Sequence, residues 1–451
     1  MNPASSAHAI RAALPPGGLF TDQHWRISPT PFALGPELAN ELESLGRVLL
    51  QFYRAVNLLY RKSVEGKQPE WIARWLDHGK PAWLVELQRH PAIRNELPRV
   101  IRPDILLTEG GFNITELDSV PGGIGLTGWL GRAYSAAGPK SKVQSPKSEG
   151  GAEVIGSASG MLDGFASIFG DAERVHIVVS EESGGCRREM EWLANQLNAA
   201  GPTSFNLQPS TFNSPAPGDA VYRFFELFDV ANVPGARRLF ELATEKQIRL
   251  TPPPRPVFEE KLLFALLWNR NLRGFWRQEL GEGFLTRLQK AVPYTWLVDP
   301  TPVPPHAALP GHELTDWQQL KALSQREREL ILKVSGYSEE AWGARGVYFG
   351  SDLSAADWSV AVDKALRSFP QSPYVLQRYH KPRVVEANYF DFARNDLVAM
   401  PGRVRLCPYY FVSGEGDAAR PALGGVLATI CPADKKIIHG MKDAILAPCT
   451  A

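Results

Sequence analysis

The segment IRPDILLTEGGFNITELDSVPGGIG, residues 101–125, constrains this chain more than any other. Two apolar-rich runs flank Glu109, Gly110 and Gly111, which predicts a β-hairpin with a three-residue loop. With that loop Thr108 faces Phe112, Asp104 faces Glu116 and Arg102 faces Asp118. Side chains alternate along a strand, so Arg102, Asp104, Glu116 and Asp118 all project from one face of the ribbon. Carboxylates this close repel unless a cation compensates. The arrangement therefore offers a Mg²⁺ site at Asp104, Glu116 and Asp118, with Arg102 placed to meet a phosphate on that metal. The plain alternative is a solvated strand face with cross-strand ion pairs.

The surrounding chain is long enough to support such a site on several cores. Its 451 residues allow two to four domains, and 44% hydrophobic with 22% charged residues excludes general disorder. A net charge of +1 removes the bulk electrostatic argument for nucleic acid or a membrane surface. Four cysteines, Cys186, Cys407, Cys431 and Cys449, never form a CxxC pair, so no zinc ribbon or dense disulfide framework is expected. No apolar run reaches the roughly 18 residues of a membrane span, and the N-terminus lacks a signal-peptide core. A cytoplasmic, unexported chain is the expectation.

Along the chain, Leu38, Leu42, Leu45, Leu49, Phe52, Val56 and Leu59 recur at helical spacing between Gly35 and Val64. Two shorter helices are expected at 69–77 and 81–96, each opened by a proline; Trp71, Trp75 and Trp83 form their packing face. Residues 136–151 read as a polar connection. Beyond it, RVHIVVS, the helix 186–199, the weak strand 203–207 and AVYRFF read as a small α/β layer with a parallel sheet. A proline-rich stretch at 251–256 marks a boundary. The last part is α+β, with helices at 259–269, 283–289 and 355–368 and strands RELILKVS and SPYVLQRYH.

Three further motifs bear on chemistry. Gly123, Gly125 and Gly128 match GxGxxG, but the preceding strand carries Glu116 and Asp118 and no acid follows at dinucleotide spacing, so an oxidoreductase reading is rejected. In ILKVSGYSEEAWGARGVYFG, Lys333 ends an apolar strand beside a loop punctuated by Gly336, Gly343, Gly346 and Gly350. A lysine supplies a point charge and glycines let backbone N–H groups approach phosphate oxygens, with Arg345 a second cation. The alternative is a long surface turn. His306 and His312 sit in a proline-rich stretch at no metal-ligand spacing and read as solvated.

ILKVSG, GARGV and, some thirty residues on, YVLQRYHKP resemble the ATP-grasp enzymes, in which a strand lysine, a glycine-rich lid and a Gln- or Glu-bearing hinge hold ATP between two lobes. RPD and TELDS upstream resemble the circularly permuted ATP-grasp group that includes glutathionylspermidine synthetase, here without the fused amidase domain. The resemblance matches Arg102, Asp104 and Glu116 to that group's R-x-D and E-x-N elements, with Asp118 in place of Asn. It likens EEKLLFALLW to a lysine-bearing helix that places Lys261 on phosphate, with Trp268 in register, and matches Gln377 and Tyr379 to the Q-x-Y hinge that meets adenine. Arg405 lies in a looser match to a late phosphate- or carboxylate-contacting strand.

The implied fold is a circularly permuted ATP-grasp of mixed α+β and α/β character, with a small α/β pre-ATP-grasp layer and a helical N-terminal region. The division is 1–98 helical, 99–151 metal-binding strands and connection, 152–250 the α/β layer, and 251–451 the nucleotide-binding lobes. The implied activity is an ATP-dependent carboxylate-amine ligase working through an acyl phosphate. ATP and Mg²⁺ are its cofactors and a small-molecule or peptide carboxylate and an amine its substrates. Arg102 and Lys333 are the catalytic candidates; Lys261, Lys333, Gly343, Arg345, Gly346, Gln377 and Tyr379 bind nucleotide; Asp104, Glu116 and Asp118 bind metal. The alternative is a catalytically inactive nucleotide- or partner-binding protein that keeps the same shell.

Overall fold

A computed structural model describes residues 2–19, 25–137, 153–211, 214–301, 312, 314–341, 343, 345–438 and 443–451. Most of the 136–151 connection and His306 lie outside the described residues.

The apolar stripe at helical spacing forms one long helix, Pro36–Val64, with Pro36 in its first turn and Leu42, Leu45, Leu49, Phe52, Val56 and Leu59 buried. This helix lies on a mixed seven-stranded sheet. Strand order is Phe32–Ala33, Ile445–Thr450, Arg420–Pro432, Asp396–Ser413, Val100–Thr108 and Gly111–Asp118, with Val384–Asp391 also paired to Asp396–Ser413. At Gly46 an added Cβ would stand 2.5 Å from the Tyr410 ring. The Tyr410 hydroxyl donates to the Leu42 carbonyl at 2.5 Å, so the absence of a side chain at residue 46 lets helix and sheet approach and bond.

The helix expected at 81–96 is shorter, Ala82–Arg89. Trp71 and Trp75 pack on the main core, and Trp83 packs against the helix Ala236–Thr244 through Phe240, as a packing face requires.

The hairpin forms, with a correction. Thr108 pairs with Gly111, not Phe112, so only Glu109 and Gly110 make the turn. One-residue slippage would send every side chain of the second strand to the opposite face. A β-bulge at Thr115 removes the slip: beyond it Asp104 pairs with Glu116 and Arg102 with Asp118, as the longer loop would have given. Bulge and short turn cancel, and the charged face survives.

A second, parallel sheet has the order Ser204–Gln208, Arg174–Val179, Ala220–Phe224 and Arg249–Thr251, with helix Arg187–Ala200 crossing between its first two strands in sequence. A third sheet, all antiparallel, runs Val347–Phe349, Leu330–Val334, Tyr374–Arg378 and Thr295–Val298; helix Ala355–Ser368 packs on it through Trp358, Ala361, Val362 and Ala365. No described helix is long and apolar enough to cross a membrane.

Substituting Gly46→Ala should lower unfolding stability by about 1–3 kcal/mol, because the ring of Tyr410 must give way, even though alanine favours helix. Chemical denaturation of the variant checks this; an unchanged or higher midpoint would show that helix and sheet can part without loss.

Candidate functional site

A cavity of about 420 Å³ opens where the hairpin face, the antiparallel four-stranded sheet and the carboxyl ends of two parallel strands meet. On the hairpin side the charges are matched pairwise. Arg102 reaches Asp104 through Nε at 3.1 Å and Asp118 through Nη2 at 2.9 Å, and donates to the Gly122 carbonyl at 3.2 Å. Arg405, from the neighbouring strand, meets the other oxygen of Asp104 at 3.0 Å, and the Cys407 thiol donates to Asp104 Oδ1 at 3.5 Å. Burial pushes the Asp118 carboxyl up, and Arg102 opposes that; burial likewise opposes the charge of Arg102, which Asp104 and Asp118 hold firmly protonated.

Lys261 enters from the start of helix Leu262–Trp268 and reaches Glu116 Oε1 at 2.7 Å, with the Ala341 carbonyl at 3.4 Å. Burial works against its ammonium, but Glu116 holds it above the usual lysine range. Lys333 differs. It lies within strand Leu330–Val334, not at its end, and among the described residues its ammonium finds only neutral acceptors: Gln377 Oε1 at 2.9 Å and the Thr115 carbonyl at 3.3 Å. Thr115 is the bulge residue, whose disrupted pairing turns its carbonyl toward the lysine. Burial pushes Lys333 down to about 8, with Glu116 opposing and Lys261 reinforcing the shift. A buried cation without an acid partner is the strongest call for an anionic ligand in the cavity.

Both lysines are braced from behind. Lys80, on the loop between helices Glu70–Asp77 and Ala82–Arg89, meets Glu260 at 2.5 Å with both side chains 1% exposed. The Ser335 hydroxyl donates to the second oxygen of Glu260, while Ser335 Oγ and carbonyl accept from Leu262 and Lys261 backbone N–H groups at 2.8 and 2.9 Å. One knot of side chains thus fixes Lys261 relative to the strand carrying Lys333.

The cavity gathers Arg102, Asp104, Glu116, Asp118, Lys261, Lys333, Gly343 and Tyr379 from the sequence-derived set. Gln377 stands one bond away, through Lys333, and its amide donates to Thr295 Oγ1 at 3.0 Å. Gly346 and Arg345 do not line it: a Cβ at Gly346 would meet Val334 at 2.6 Å, and Arg345 pairs with Glu182. Arg405 belongs to the cavity wall.

Among the described residues no group of three or more His, Cys, Asp or Glu is arranged to hold a metal ion. Asp104 is engaged by two guanidiniums, whereas Glu116 Oε2 has no hydrogen-bond partner among the described residues. The donor chemistry still fits Mg²⁺, which commonly takes one or two carboxylates and fills its shell with water and phosphate oxygens.

The GxGxxG segment serves packing. Gly123 and Leu126 N–H groups, at the start of helix Ile124–Ala137, donate to the buried Glu189 carboxylate at 2.7 and 2.9 Å. That carboxylate occupies the place a dinucleotide phosphate would need, and a Cβ at Gly125 would stand 2.1 Å from the Glu189 carbonyl. Sequence reasoning missed Glu189, and also Glu182 and Glu226, which line the cavity just past the strands Arg174–Val179 and Ala220–Phe224. Their signal was positional: ligands collect at the carboxyl ends of parallel strands.

No family model matches the chain, and no curated protein matches it in sequence. Among solved structures, the fold is similar to that of a glutathione synthetase-like effector from Globodera pallida in apo form. That match has a TM-score of 0.57 and 13% identity over 99% of this chain and 96% of the other. A putative gamma-glutamylcysteine synthetase from Methylobacillus flagellatus aligns over 94% of this chain and 89% of its own at 11% identity, with a TM-score of 0.38, below the level at which a common fold follows. The first likeness is one of fold.

Substituting Lys80→Met should cost about 3–5 kcal/mol of stability by leaving Glu260 buried without its cation, and Lys80→Met with Glu260→Gln should cost less. Denaturation of both variants tests the brace; equal losses would mean that the pair is not coupled.

Proposed function

We propose that this protein is an ATP-dependent ligase that joins a carboxylate to an amine through an acyl phosphate, on a circularly permuted ATP-grasp framework. The observation that carries the reading is Lys333: a buried ammonium held, among the described residues, only by neutral groups, facing a cavity that also receives Lys261 from a separate element. Two cations from separate elements suit a polyphosphate lying between them. The fold likeness to a glutathione synthetase-like effector supports the same class. In this reading residues 99–151 supply the metal-binding strands, 152–250 the pre-ATP-grasp layer, 251–451 the nucleotide lobes and 1–98 a helical support.

Each side chain then has a task set by its surroundings. Lys333 and Lys261 hold phosphate oxygens, and Gln377 orients Lys333 while Tyr379 borders the adenine side. Glu116 and Asp118 are the carboxylates that would hold Mg²⁺, whose charge would offset that of the phosphates. Asp104 fixes Arg102 and Arg405 in place, so that guanidinium N–H groups border the position of the transferred phosphoryl group and the acceptor carboxylate. Gly343 and Val347 border the cavity on this side, beside Arg345, which is tied to Glu182.

Calorimetric titration with ATP, with and without Mg²⁺, tests the proposal. Wild type should bind, and Lys333→Met should weaken binding about ten- to a hundredfold by removing a charge-assisted contact. The variant should still fold, since methionine fills the volume and no acid loses a partner. No ATP binding by wild type at millimolar concentration would sink the reading; binding without turnover across an acid and amine panel would favour the inactive alternative.

A pH dependence follows from the same lysine. With its free ammonium at about 8, Lys333 is charged below that pH and must take up a proton to bind phosphate above it. ATP affinity should hold between pH 6 and 7.5 and fall roughly tenfold per pH unit above about 8, a loss absent in Lys333→Met. A flat profile through pH 9 would remove Lys333 from phosphate binding.

A further inference from the structure

One wall of the cavity carries few of the charges that crowd the rest. Leu446, Thr429, Arg405 and Leu106 stand opposite one another on four successive strands of the seven-stranded sheet, and all four line the cavity. Paired residues project from the same face of a sheet, so these side chains form one row across it. Cys407 and Leu427, paired two residues further along the two central strands, continue that face. Ile438 packs against Leu106, and Ile437 lines the cavity while 46% exposed. Lys436, next to them, is paired with Asp352.

Arg405 brings the ionic group of this row, and its guanidinium is only partly used. Nη1 donates to Asp104 Oδ2 at 3.0 Å, whereas Nε is buried and has no hydrogen-bond partner among the described residues. A buried N–H without an acceptor costs free energy, which an incoming oxygen would recover. Beside that N–H the wall offers mainly hydrocarbon. Glu116, Asp118, Lys261 and Lys333 come from the second hairpin strand, from the start of helix Leu262–Trp268 and from the antiparallel sheet, and none belongs to this row. One donor set in an apolar surface is the usual make-up of a site for a small molecule with a polar head and an apolar body.

We propose that the acid this ligase activates is an apolar carboxylate, with a carboxylate oxygen accepting from Arg405 Nε and the hydrocarbon body lying along Leu106, Leu427 and Leu446. This rests on the ligase reading above and names the chemical class of its acid. A hydrocarbon chain gains on that wall by leaving water, about fourfold in affinity per buried methylene. An amide in its place gives up hydrogen bonds to water and meets leucine side chains instead.

The test is calorimetry on wild type loaded with Mg²⁺ and the non-hydrolysable analogue AMP-PNP, titrated with acetate, butyrate and isocaproate. N-acetylglycine serves as a carboxylate of the same size with a polar body, and isocaproamide as the uncharged control. Affinity should rise about fourfold per added methylene along the series, and N-acetylglycine and isocaproamide should each bind about tenfold or more weakly than isocaproate. Leu106→Gln should bring isocaproate down to the affinity of N-acetylglycine. Failure of isocaproate to bind the loaded protein overturns the proposal, as do affinities that do not rise with chain length, N-acetylglycine or isocaproamide binding as tightly as isocaproate, and an unchanged isocaproate affinity in Leu106→Gln. Wild type that does not bind AMP-PNP before any acid is added is a different failure, that of the ligase reading itself. The chain-length series is read on wild type, so it stays decisive where Leu106→Gln does not fold.

Discussion

Asp104 is held between two guanidinium groups, Arg102 on its own strand and Arg405 on the next, the second 301 residues away in sequence. Much of the site depends on this cluster. A carboxylate out of water needs partners on its oxygens, and two arginines brought together need an anion between them. The pairing of strand Val100–Thr108 with Asp396–Ser413 meets both needs, and it places the hairpin face in the middle of a chemical surface. Arg102 then extends the arrangement to Asp118 and the Gly122 carbonyl, which ties the end of the hairpin down before the chain turns into helix Ile124–Ala137.

Around that anchor the cavity is balanced almost pair by pair. Among the described residues the balance is not complete, and the departure is a cation. Lys333 is kept by an amide oxygen and a bulge carbonyl. Structural ion pairs explain themselves; charges left over inside a cavity are the ones a ligand can answer. The lysines owe their mutual placement to the buried knot of Lys80, Glu260 and Ser335, which links the N-terminal helices to the strand that carries Lys333.

Much of this was legible in residues 101–118, because a strand face is set by period two and both strands are short. The turn length was misjudged, and the compensating bulge at Thr115 had no separate signature in the sequence. Its consequence for Lys333 was hidden for the same reason: a carbonyl's direction depends on pairing across strands. Lys261 was found through the wording of one short helix, and its partner Glu116 through the hairpin, but their contact at 2.7 Å joins elements that no local pattern relates. The GxGxxG glycines were set aside for want of an acid at dinucleotide spacing, and no local pattern showed Glu189, which fills the helix start from another layer.

By itself the sequence determined the long amphipathic helix, the charged hairpin face, the parallel layer and the lysine strand, since each follows from periodicity and turn chemistry within a few residues. Tertiary structure decided which charges would meet. It gave Asp104 two arginines, gave Glu116 to Lys261, drew Arg345 out to Glu182, and left Lys333, among the described residues, with neutral partners. Charge pairing is governed by distance through space and by burial, and neither is encoded in any one stretch of chain.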